Sequence, residues 1–81
     1  MLTAYTQLGR LGVRSVLPRI IAAASAAATP QRKQPSRAVD WLQGFDKPTR
    51  LAGYRKIIRR AKTKDARDKA SYYLRYQLRN P

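Results

Sequence analysis

The side chains of this 81-residue chain that can do chemistry are cations and tyrosines. Cysteine and histidine are absent, which removes thiol nucleophiles, disulfides and nearly all transition-metal ligation. Serine and aspartate without histidine cannot build a hydrolytic triad. Eighteen Lys and Arg stand against four acids, a net charge of +14. Such a balance destabilises a compact monomer by self-repulsion and favours acidic proteins, polyanions or anionic lipid. The chemistry expected is therefore binding. No catalytic residue, cofactor or metal is predicted, and the chain is not expected to be an enzyme.

The cations are densest around residues 51–60, L-A-G-Y-R-K-I-I-R-R. As a helix, this stretch places Leu51, Tyr54, Ile58 and Ala61 on one buried line with Ile57 beside it. Arg55, Lys56, Arg59, Arg60 and Lys62 cover the remaining circumference. A second aromatic and basic run, A-S-Y-Y-L-R-Y-Q-L-R, occupies residues 70–79. There Ala66, Ala70, Tyr73, Leu74 and Leu78 make an inner face, and Tyr72 and Tyr76 form a separate line that a helical hairpin does not need for its core. Trp41 and Phe45 are a further aromatic pair, read either as a cap on the helices that follow or as an anchor into a partner, since large aromatics dominate interface energetics. The protein-docking candidates are thus Trp41, Phe45, Tyr54, Arg55, Arg59, Tyr72 and Tyr76. Candidates for phosphate are Arg32, Lys33, Arg37, Arg60, Lys62 and Lys64.

A Tyr-Arg pair near the start of a basic helix, followed by two bulky aliphatics and more arginine, resembles the LYR-motif proteins of mitochondria. The matching positions are Gly53, Tyr54 and Arg55, and residues 70–79 are similar to that family's second helix. Gly53 stands where the family has leucine, and these residues hold no counterpart of its third helix. The resemblance covers about residues 49–79. It implies a small non-enzymatic accessory or assembly factor of a mitochondrial complex, with an acyl carrier protein among its partners. It also implies a docking role for Arg55, with Tyr54 packed between the helices.

These residues must be positioned by helices, because no segment alternates as a strand would and the patterns of RNA-recognition or OB folds are missing. The expected class is all-α: a short helical hairpin, preceded by a transit-peptide-like segment and an extended, proline-containing linker. Residues 1–29 are basic, contain serine and lack acids, which is the composition of a mitochondrial transit peptide. Leu8, Leu11 and Ser15 share one helical face and Arg10 and Arg14 another, so an amphipathic helix is expected before Pro18. Ile20 to Ala28 is apolar but too short to cross a bilayer, which takes about twenty residues. Residues 30–37 carry two prolines and three cations and read as an extended linker that keeps helices apart. Residues 38–81 form the hairpin unit, with helices over 47–62 and 65–79. Ser36 is expected to cap a short turn through Leu42. Asp46 and Pro48 start the first long helix, and Asp65 with Asp68 imitates a capping box for the second, Asp65 pairing with Lys69. Asn80-Pro81 is its stop. Gly53 inside a helix costs about 1 kcal/mol relative to alanine, which points to close approach by another backbone.

A hairpin this small buries little. Each core side chain contributes about 1.5–3 kcal/mol, whereas ordering costs about 1.5 kcal/mol per residue, so the expected core depends on a partner. The function these features favour is a non-catalytic accessory subunit of a large mitochondrial assembly, an inner-membrane energy-converting complex such as the respiratory chain or ATP synthase, in the matrix or on the matrix side of the inner membrane. Its partners would be other subunits. The alternative is a small mitochondrial ribosomal protein on rRNA, since residues 30–81 hold fifteen cations against four acids with tyrosines interleaved. Contact with anionic lipid is also expected, with Arg10, Arg14 and Arg19 at headgroups and Leu8, Leu11 and Val16 entering the boundary.

Overall fold

The computed structural model describes Leu8, residues 11–31 and residues 33–79. Arg10, Arg32 and the Asn80-Pro81 helix stop lie outside the described residues. The protein is all-α, and among the described residues there is no strand.

Pro18 does not close a helix; it lies in the first turn of one. Gly12 takes a left-handed backbone at φ +76°, and the Val13 amide donates to the Leu8 carbonyl at 2.9 Å, so the expected continuous helix through Leu8, Leu11 and Ser15 is interrupted by a turn. A single 3₁₀ turn over Arg14–Val16 then feeds α1, Leu17–Ser25, with Pro18 in the first turn, where a missing N–H leaves no bond unmade. Ile20 and Ala24 on this helix are fully buried, and Val16, Ile21 and Ala23 nearly so. The boundary expected near residue 29 is therefore no boundary in packing. Apolar side chains on both sides of it share one core.

The linker expected over 30–37 is only partly extended. The chain leaves α1 in extended conformation at Ala26, but Pro35 is buried, its carbonyl accepts from Ala38 at 3.0 Å, and α2, Arg37–Asp40, begins inside the expected linker. Ser36 occupies the capping position without making a side-chain cap bond. A 3₁₀ turn, Trp41–Gly44, continues α2, and together they bury Ala38, Val39, Leu42 and Phe45.

Two long helices follow. The Asp46 carboxylate accepts from the Thr49 amide at 3.3 Å and Pro48 fills the first turn, so α3, Lys47–Arg60, starts as the sequence predicts. Its buried stripe is Gly53, Tyr54 and Ile57, continued by Ala61, while Leu51 and Ile58 are only half-buried. The stripe is turned from the predicted one because Leu42 comes down on Gly53. A Cβ there would stand 2.8 Å from Leu42 Cδ1, so the close neighbour is a side chain, not the expected backbone. The last helix, α4, spans Lys64–Arg79. Thr63 rather than Asp65 serves its start, the hydroxyl accepting from the Ala66 amide at 3.3 Å. Ala66 and Ala70 are fully buried and let α3 and α4 meet closely near the turn. Leu78 is 56 % exposed and is not part of the inner face. The Arg50 guanidinium donates to Gln77 Oε1 at 3.3 Å, which sets the beginning of α3 beside Gln77 and leaves Leu78 at the open end of the hairpin.

Candidate docking surfaces

Polar ties hold the helices in register. Lys69 Nζ lies 2.6 Å from Asp40 Oδ2, and the Tyr73 hydroxyl donates to Asp40 Oδ1 at 2.6 Å, so both oxygens of one carboxylate join α2 to α4. Lys69 reaches across the fold instead of pairing with Asp65 as expected. Arg67 donates to the Ala61 carbonyl at 3.3 Å, closing the end of α3. Arg14 donates to Thr49 Oγ1 at 3.3 Å and sits 3.9 Å from Asp46 Oδ2, tying the amino-terminal segment to the start of α3. Sequence reasoning missed the Asp40 link, since its partners lie 29 and 33 residues away and nothing local announces them.

Around that link the tyrosines are perturbed. Burial first, then the Asp40 hydrogen bond and charge, pushes the Tyr73 hydroxyl up to about 12. Burial also raises Tyr54, against the opposing charge of Arg50. The two rings meet at 5.7 Å between centroids with planes tilted by 46°. At the other end of α3, Asp46 is held below its usual value by hydrogen bonding from the Thr49 side chain, then by the Thr49 amide and the Arg14 charge.

The predicted docking residues divide into two groups. Phe45 is 5 % exposed and Tyr54 1 % exposed, so both belong to the core and are withdrawn from any contact surface. Each is needed inside because this small chain has few large side chains with which to fill the space between its helices. Trp41 is half-buried. Arg55 and Arg59 are exposed on α3 with Lys56 and Arg60 beside them, and Tyr72 and Tyr76 stand out from α4 at 60 % and 53 % exposure. Of the phosphate candidates, Lys33 and Arg37 line a cleft of about 520 Å³ together with Pro30, Pro35 and Trp41. Arg60, Lys62 and Lys64 are exposed around the turn between α3 and α4, and Arg60 also edges a groove of about 470 Å³ between α1 and α3 with Lys56 and Arg14.

The lipid-facing arrangement expected for the first residues is not formed. Val16 is buried in the core and Leu8 packs against it, leaving Leu11, at 76 % exposure, as the one outward member of that set. Among the described residues no helix is long and apolar enough to cross a membrane, and no cluster of acids could hold a metal ion. No family model, curated protein or solved structure matches the chain.

Proposed function

We propose that this chain is a non-catalytic accessory subunit of a large mitochondrial assembly, an energy-converting complex of the inner membrane, and that it docks through the outer face of α3. The observation that carries this reading is the row Arg55, Lys56, Arg59 and Arg60, exposed opposite the buried stripe of Gly53, Tyr54 and Ile57. Neither the Arg14–Asp46 nor the Lys69–Asp40 ion pair engages that row. Four cations on two turns of one helix repel one another, and an acidic partner surface relieves the repulsion. The acid-free, arginine-containing start and the LYR-like residues Gly53, Tyr54 and Arg55 support the mitochondrial setting, and the resemblance adds an acyl carrier protein to the candidate partners.

The test is co-migration of the tagged full chain from fractionated cells. It should appear in mitochondria with an inner-membrane complex, and Arg55→Glu with Arg59→Glu should lower its incorporation several-fold while circular dichroism stays unchanged. Recovery outside mitochondria, or undiminished incorporation of that variant, would sink the reading.

The second reading, a mitochondrial ribosomal protein, is favoured by the exposed cations Arg60, Lys62 and Lys64 around the hairpin turn and by the Lys33 and Arg37 cleft. Co-sedimentation with ribosomal RNA in the same fractionation decides between them.

A further inference from the structure

The stretch with the composition of an import signal and the stretch that completes the core overlap at α1. No acid precedes Asp40, and Arg14 and Arg19 fall within the 3₁₀ turn and α1. Leu17, Ile20, Ile21 and Ala24 follow the three-and-four spacing of one helical face. Ile20 and Ala24 are fully buried and Ile21 nearly so, whereas Arg19 and Ala22, on the other side, are exposed. Acid-free amphipathic helices with arginine are the form of a mitochondrial presequence, and such a helix is recognised by laying its apolar face into a hydrophobic groove. The face that a groove would read is the face that folding takes away. Ile20, Ile21, Ala23 and Ala24 share one cluster with Val39, Leu42 and Ile57, and the Ser25 carbonyl accepts from the Lys62 amide at 3.1 Å. The fold takes hold at Arg14, which donates to Thr49 at 3.3 Å, while Leu11 and Gly12 just before it are exposed.

We propose that α1 is a retained import signal. It is read as an amphipathic helix on the unfolded chain and then silenced by packing, so the mature protein keeps everything from Arg14 onward and is not cut behind residue 29. The inference rests on the mitochondrial setting of the proposed function. Ala27 to Gln31 are exposed in the folded protein, but a presequence is removed before the chain folds, so that exposure does not make them the cutting point. What decides is whether the remainder can fold. A chain beginning at residue 30 would uncover Val39, Leu42 and Ile57, now fully buried, on the side that α1 packs against, and would leave the Lys62 amide without the Ser25 carbonyl. So small a domain has no spare apolar surface with which to replace a helix. One apolar face therefore serves in turn a receptor and the core, and folding and recognition exclude each other.

The experiment imports the full chain into isolated mitochondria and measures the intact mass of what is recovered from inside. The recovered chain should contain Arg14 and all that follows. Wild type presented unfolded in urea should enter several-fold faster than wild type presented folded, because only then is the apolar face of α1 free. Arg19→Gln, at an exposed position, should melt at the wild-type temperature yet enter several-fold more slowly, a separation that a purely structural helix would not give. A recovered chain that begins anywhere between residues 15 and 30 overturns the proposal while leaving the mitochondrial reading in place. Undiminished entry of Arg19→Gln, or equal entry of folded and unfolded chain, reduces α1 to a packing helix and overturns it in the same way. Failure of the wild-type chain to enter under either presentation overturns both this inference and the mitochondrial reading.

Discussion

Asp40 joins α2 to α4 through both of its carboxylate oxygens, and its partner Tyr73 makes the protein sensitive to alkali. The Tyr73 hydroxyl keeps its proton to about 12 in the folded state, whereas the unfolded chain gives it up near 10.0. Between those values the folded state binds more protons than the unfolded one, so the stability from this group is complete below pH 10 and is lost as pH rises through the folded value. Tyr54, raised by burial, adds to the same trend. We therefore expect a melting temperature that declines between pH 10 and about 12. Tyr73→Phe should melt lower at neutral pH, having lost a hydrogen bond to a carboxylate of about 1.5–3 kcal/mol, and should show a shallower alkaline decline. An equal decline in both proteins would remove Tyr73 from the account.

Among the elements, the 3₁₀ turn Trp41–Gly44 fits closely onto α3 at Gly53. The Leu42 side chain occupies the space above Gly53, with Cδ1 at 2.8 Å and Cδ2 at 3.3 Å from where a Cβ would be. Leucine, the residue the LYR pattern has at this place, has no room here while Leu42 is fully buried on the same spot. Gly53→Leu should lower the melting temperature despite gaining about 1 kcal/mol of helix propensity, because overpacking a filled core costs about 1–3 kcal/mol or more. The double variant Gly53→Leu with Leu42→Ala should recover part of that loss, since the two side chains compete for one volume. A single variant as stable as wild type would mean that the Trp41–Gly44 turn shifts freely on α3.

At the scale of the whole molecule, the core is shared by all four helices. Ile20, Ile21, Ala23 and Ala24 of α1 meet Val39, Leu42 and Ile57 in one cluster, and the Lys62 amide donates to the Ser25 carbonyl at 3.1 Å. A fragment of residues 30–81 keeps α3 and α4 but exposes the faces that α1 covers. It should give no cooperative thermal transition, whereas residues 11–81 should give one; a sharp transition in the shorter fragment would show that α1 is dispensable. If residues 1–29 are also read as an import signal, the same segment serves targeting and folding, and its removal would carry a cost in stability.

Local determinants were legible in the amino-acid sequence. Asp46 and Pro48 at the start of α3, the helical class of every element and the outward line of Tyr72 and Tyr76 depend on contacts within a turn or two, where residue spacing alone sets the geometry. Only the tertiary structure decided which of two apolar lines on α3 turns inward. Leu51 and Ile58 match the helical period as well as Gly53 and Ile57 do, and the choice rests on Leu42 seating against a residue without a side chain. It likewise decided that Lys69 serves Asp40 rather than Asp65, that Phe45 is core rather than contact, and that Pro18 opens a helix belonging to the core, whereas the burial of Tyr54 between the helices was already expected from its place in the stripe. Each of these follows from where distant segments cross. A chain of this size draws its core from apolar side chains far apart along the sequence.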